Sequence, residues 1–316
     1  MTRYTRREFG QVTLAAVPAA LLLREAFPEA RVPAEINSKI KNVQIGAITY
    51  SFNSIAQNPD DIIKAYVSIG LGEMELMSNH CEALAGAPAR GGGRGTQTPE
   101  QVAAAKAFTD WRTSATEATF APVLKKITDA GISLQLLCYN MSDSMTDDLI
   151  EYGFMMAKAL KVKTMTTSTT VSMAKRVVPF AEKYKINVAF HGHDNLSDPN
   201  QFAKPESFVA AMAMSKYFMV NLDIGHFTSA GFDAVAFIKE HHARITNLHV
   251  KDKHNPANGG QNVAWGQGDT PIKEVLNLMS KEKYPFPANI EYEYRDPDGA
   301  VAGVGKCFKF IKDALA

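Results

Sequence analysis

Residues 186–193 read INVAFHGH, and three later stretches repeat the same design: FMVNLDIGH at 218–226, ITNLHVKD at 245–252 and FPANIEYE at 286–293. Each is a short apolar run that ends in histidine or a carboxylate. The terminal residues His191, Asp223, His249 and Glu291 follow one another roughly 25 to 45 residues apart, the spacing of successive strand–helix units. Metal-ligand residue types placed where four consecutive strands stop are the signature of a parallel barrel, whose functional groups come from the C-terminal ends of several strands.

The alternation extends outward in both directions. Strands are expected over Val43–Tyr50, Gly72–Met77, Ile132–Cys138, Val162–Thr167, Ile186–Phe190, Tyr217–Leu222, Ile245–Val250 and Ala288–Tyr292. Helical patterns lie between them, opened in one case by Asn58-Pro59 and in another by Thr98-Pro99-Glu100, the latter read as one long helix to about Ala130. Short unbroken apolar strands alternating with helices imply a parallel sheet covered on its outer face. Eight such units predict an α/β fold, a single (β/α)8 TIM barrel over residues 40–316, because one such barrel takes about 250 residues.

Other features bound the function. A net charge of +1 offers no basic footprint for nucleic acid. Cys81, Cys138 and Cys307 are far apart and form no CxxC, which argues against a disulfide framework or a thiolate zinc site. The N-terminus carries Thr5-Arg6-Arg7-Glu8-Phe9-Gly10 and then the uncharged run VTLAAVPAALLL at 12–23. Residues 1–35 are therefore expected to be an export signal and linker of twin-arginine type, directing the protein to the periplasm, with an amphipathic N-terminal helix as the plainer alternative. The run is too short for a permanent span, which needs about 20 residues, so no stable membrane insertion is expected after signal removal.

Period-two alternation puts Glu291 and Glu293 on one face, with Tyr292 pointing outward, and places Lys251 on the face of His249. Two inward carboxylates are costly unless they share a cation or a proton. His191, Asp223, His249 and Glu291 are the expected ligands of one divalent metal. Carboxylates and imidazoles without thiolates suit Mn2+ first, and also Mg2+, Co2+ or Zn2+. Glu293, Lys251, Glu291 and His191 are the candidate acid/base groups. Glu75, His193, Asp194, His226 and Trp265 are the candidate substrate contacts. Asp223 has a structural alternative, since aspartate also caps turns. The Gly-rich stretch GAPARGGGRG at 86–95 reads as a lid or as a surface insertion, with His80 and Glu82 as solvated loop residues.

The segments IGAITYSF (45–52), GEMEL (72–76), VAFHGHDN (188–195), VNLDIGHFTSAG (220–231), NLHVKDK (247–253) and NIEYE (289–293) resemble those of the xylose isomerase-like barrel superfamily of sugar isomerases and epimerases. Ketose 3-epimerases, hydroxypyruvate isomerases and inosose dehydratases fall within it. The resemblance implies proton abstraction beside a carbonyl and a metal-stabilised enediolate, on a carbohydrate substrate. In the epimerase members the ligands are Glu, Asp, His and Glu. The last three carry over to Asp223, His249 and Glu291, but the first falls on His191. That departure removes one of the two carboxylates with which those epimerases work on opposite faces of the sugar. The expectation is an isomerase or epimerase of a free sugar or keto-sugar. The alternatives are a lyase or dehydratase acting on a 3-keto-glycoside or inosose, an endonuclease-like member disfavoured by charge and by the lack of extra histidine ligands, and a non-catalytic sugar-binding barrel. The long outer helices leave room for a homo-oligomer.

Overall fold

The computed structural model describes residues 34–91 and 97–316. Residues 1–33 of the expected export segment and linker, and residues 92–95 at the end of the Gly-rich stretch, lie outside the described residues. Eight parallel strands form the barrel: β1 (Val43–Ile48), β2 (Glu73–Met77), β3 (Ser133–Cys138), β4 (Thr164–Ser168), β5 (Asn187–His191), β6 (Phe218–Asp223), β7 (Ile245–Val250) and β8 (Ala288–Ile290). Each pairs with the next in sequence order, and β1 also pairs with β8 through Ile45↔Ala288 and Ala47↔Ile290, which closes the ring. The chain is a (β/α)8 TIM barrel.

Sequence accounts for the layering. Outward positions such as Val188, Phe190, Val220, Leu222, Leu248 and Ile290 are fully or almost fully buried beneath the helices. Phe190 stacks on Phe202 at 4.6 Å and meets Phe218 edge-on at 4.9 Å. Burying a side chain of this kind is worth about 1.5–3 kcal/mol. Inward positions are polar instead: Glu73, Glu75, Thr166, Asn221, Asn247 and Asn289 are all nearly inaccessible to solvent. At the N-terminal end a short antiparallel strand, Lys39–Ile40, pairs with Val43 and Gln44 through a two-residue turn in which Lys41 and Asn42 both have positive φ.

Three local expectations differ from the structure. The long helix is two helices, Pro99–Ser114 and Glu117–Asp129, because Thr116 starts a new one with a capping box to Thr119. Residues Ser78–Leu84 are helical, so His80 and Glu82 are buried rather than solvated. Glu82 accepts from Arg90 and Arg112 at 2.7 Å each and from the Tyr152 hydroxyl at 3.0 Å. A short helix, Ile224–Ser229, follows β6 directly.

Candidate metal centre and active site

The pairings of β5 to β8 bring four strand ends to one level. His191 pairs with Asn221, Asp223 with His249, and His249 with Asn289. At the barrel mouth His191, Asp223, His249 and Glu291 converge, each with a candidate ligand atom within 4.8 Å of the others, and all four are buried.

Each of the four side chains points one atom into the cluster. The Asp223 Oδ1 accepts the backbone N–H of His226 at 2.7 Å and caps the helix that follows, leaving Oδ2. The cap therefore uses one oxygen of Asp223 and leaves the other for the cluster. His249 Nε2 lies 2.7 Å from Glu75 Oε2, leaving Nδ1, which sits 3.2 Å from Glu291 Oε2. His191 Nδ1, Asp223 Oδ2, His249 Nδ1 and Glu291 Oε2 all lack a directed hydrogen bond although buried. Buried polar atoms are expensive unless something binds them, and here the ammonium of Lys251 stands against the two carboxylates while the two imidazole nitrogens are left open. Two imidazoles and two carboxylates fit a divalent ion of the Mn2+ or Zn2+ type.

Lys251 brings an ammonium into this cluster. Its ammonium lies 3.0 Å from Asp223, 2.7 Å from Glu291 and 2.7 Å from Glu293, and 3.1 Å from His226 Nε2. Burial pulls its pKa down, but Asp223, Glu291 and Glu293 outweigh burial and hold the ammonium above the ordinary lysine range. Burial would raise Glu291, yet Lys251 and His249 keep its carboxylate ionised. Burial pushes His191 well below its usual range and holds it as the neutral ligand form. His193 falls to about 4, through burial first and then the charges of His226 and Lys251.

His193, Asp194 and His226 join the same mouth. The three imidazoles of His191, His193 and His226 form a second convergent group, so histidines beyond the expected ligand set do stand beside it. Asp194 is 3.3 Å from His226 Nδ1 and accepts from Ser229 at 2.6 Å and Lys253 at 2.8 Å. Two candidates lie elsewhere. Glu75 is fully buried below His249 and does not line the mouth cavity, since its oxygens are taken by protein donors. Trp265 packs edge-on against Phe310 beside Tyr292 and Tyr294, because Asp252 captures the N–H groups of Gly266 and Gly268 and folds the loop outward. Residues not anticipated from sequence complete the mouth: Tyr50, Met77, Cys138, Asn140 and Ser168 line a cavity of about 350 Å3 with His191, His193, His226, Glu291 and Glu293. Tyr50, two residues past β1, and Ser168, which ends β4, had the strand-end position as their only signal.

Gly225 explains the spacing of DIGH. A Cβ there would lie 2.3 Å from Lys251 Cγ and 3.0 Å from its carbonyl oxygen. Gly225→Ala is expected to displace Lys251, costing about 1–3 kcal/mol by overpacking. Turnover should fall by about 100-fold, the scale of a 1 Å misplacement. Thermal melts beside steady-state rates check this, and wild-type rates in the variant would show that Lys251 tolerates the shift.

A family model of the xylose isomerase-like TIM barrel matches residues 163–313, the stretch holding β4 to β8 and all four clustered side chains. Over that stretch the chain is similar to this family. Solved structures share the fold. One is the probable 3-DHS dehydratase AsbF of Bacillus anthracis, at 15% identity over 84% of this chain and 98% of that one, with a TM-score of 0.59. Another is D-psicose 3-epimerase of Clostridium cellulolyticum H10, solved with D-tagatose, at 10% identity over 86% and 99%, with a TM-score of 0.60. A third is the IOLI protein with a bound zinc atom, at 13% identity over 86% and 98%, with a TM-score of 0.56. At these identities the likeness is one of fold. No curated protein matches the sequence.

Proposed function

We propose that the protein is a divalent-metal-dependent isomerase or epimerase of a free sugar or keto-sugar. The observation that carries this reading is the convergence of four buried ligand-type atoms at the barrel mouth, none of them held by a directed hydrogen bond, beside a cavity of about 350 Å3. That volume lies at the small end of ligand pockets, about 300–1,000 Å3, which fits one sugar unit. Structural relatives named as a ketose epimerase, a dehydratase and a zinc-binding protein support the same chemistry.

His191, Asp223, His249 and Glu291 would hold the ion, and Mn2+ is the first choice for the donor set. When bound, the ion supplies Lewis-acid polarisation of a carbonyl and its neighbouring hydroxyl. The chain's own groups handle the proton. Glu291 is the base, its carboxylate kept ionised by Lys251 and His249. Lys251, 2.7 Å from Glu291, is the partner acid, and it recovers its proton from Glu291 so that the pair is reset after each turnover. Glu293 accepts from Lys251 and from Asn262 and lines the cavity, where it orients the ammonium and meets a substrate hydroxyl. His193, kept neutral, and His226, gripped by Asp194, face the same space. No arginine lines the cavity among the described residues, which favours an unphosphorylated substrate.

Elimination from a 3-keto-glycoside or inosose is the second reading. The observation favouring it is the imidazole of His191 where the epimerase pattern has a second carboxylate. Incubating the metal-loaded protein with a keto-sugar panel in deuterated water separates the two. One deuterium gained with the carbon skeleton and oxygens intact supports isomerisation, whereas an unsaturated product supports elimination. Saturable binding with neither product would sink both and leave a sugar-binding barrel.

A further inference from the structure

Glu75 lies in β2, across the barrel interior from His249 in β7, and is fully buried. Four donors reach its carboxylate. Thr166 Oγ1 donates to Oε1, while Asn247 Nδ2 and Asn289 Nδ2, at 3.1 Å each, donate to Oε2. The fourth is His249 Nε2, at 2.7 Å from Oε2. Those donors come from β4, β7 and β8, so the carboxylate is fixed from several sides at once. The β2–β3 register shifts between Met74 and Glu75, an irregularity of the kind that re-aims a side chain beside functional sites.

The two nitrogens of an imidazole are not equivalent: the hydrogen bond made by one decides what the other offers. Here the carboxylate holds Nε2 as the N–H donor. Nδ1, 3.2 Å from Glu291 Oε2 and without a hydrogen-bond partner, faces the cluster. Resting on the metal reading above, we infer that Glu75 is a positioning residue: through Nε2–H it fixes the ring of His249 so that Nδ1 is the atom presented to the ion. Glu75 touches neither the cavity nor any other member of the ligand set, so its influence passes through His249 alone.

Exchanging a carboxylate for an amide exposes this role. In Glu75→Gln one acceptor oxygen becomes an N–H2 group. Either orientation of that amide sets it against donors, Thr166 on one side or His249 and the two asparagines on the other. The ring of His249 then loses its carboxylate partner and keeps only the Asn221 amide, 3.1 Å from Nε2. Removing such a partner costs about 10–100-fold in metal affinity.

The test measures the dissociation constant for Mn2+ and Zn2+ by chelator competition on the full chain, for wild type, Glu75→Gln and Thr166→Val. The metal-free forms are melted in parallel. Thr166→Val keeps the shape of the site and removes one donor to Glu75 while leaving every ligand in place. The expected result is tight binding of one ion in wild type, about 10–100-fold weaker binding in Glu75→Gln, and a several-fold loss in Thr166→Val. Wild-type binding with a Glu75→Gln constant within threefold of it overturns the positioning role and leaves the metal centre standing. If Glu75→Gln does not fold, an unchanged constant in Thr166→Val overturns it instead. Failure of wild type to take up either ion overturns the metal reading, and this inference with it.

Discussion

Asp223→Asn and His249→Ala are both expected to lower bound metal from about one ion per chain to near zero, and to lower turnover by several orders of magnitude. The scale follows from the several kcal/mol of charge stabilisation that a Lewis acid contributes. The two oxygens of Asp223 allow a sharper test. Asparagine keeps an oxygen to accept the His226 N–H, so Asp223→Asn should retain the helix cap while losing the ligand charge. Asp223→Ala loses both, and should melt lower than Asp223→Asn by about 1 kcal/mol, the usual worth of such a cap. Elemental mass spectrometry and thermal melts of the three variants check the pair of effects. Full metal content in Asp223→Asn would remove Asp223 from the ligand set.

Lys251→Met should give the second large effect, and it should depend on metal. The ammonium lies within 3.0 Å of carboxylate oxygens of Asp223, Glu291 and Glu293, in a nearly solvent-free mouth. Removing it leaves buried charges without a cation, a change that costs about 3–5 kcal/mol. In chelator the variant should melt far below wild type. Added Mn2+ should restore more stability to the variant than to wild type, because the ion then replaces the lost ammonium among those carboxylates, and binding to the folded state stabilises by mass action. Turnover should stay low even when metal is bound, since the proton donor is gone. A variant that melts like wild type in chelator would mean that the ammonium does not balance the cluster.

How much of this was legible beforehand follows the physics of each feature. The eight strands were readable because an apolar run closed by a polar residue is a local pattern. The convergence of His191, Asp223, His249 and Glu291 was readable because a barrel places all strand ends at one mouth. Depth was not readable. Parity puts Glu75 on the inner face, but only the stagger of β2 against β3 decides that it lies beneath His249 rather than beside the substrate. The outward turn of Trp265 depends on Asp252 collecting N–H groups from residues more than ten positions away, which no local pattern encodes. The break before Thr116 was hidden because the residues around it do not strongly oppose a helix, and only the cap geometry marks the new start. The helix at Ile224–Ser229 is too short to display a hydrophobic period.

The polar column inside the strand ring has a consequence for how this protein evolves and can be engineered. Glu73 has no hydrogen-bond partner for either oxygen, and burial, followed by the charge of Glu75, drives it to its neutral form. The ring's interior is thus a chemical instrument rather than a store of cohesion, and the oil that keeps the chain folded lies between strands and helices. Mutational tolerance should split along the same boundary. Apolar exchanges at Val188, Leu222 or Leu248 should behave as graded changes of volume. A single substitution at Glu75, Asn247 or Asn289 strands several partners together, so that column would change as a block or hardly at all. Searches for a hardier variant belong in the outer shell, where improvement leaves the chemistry untouched.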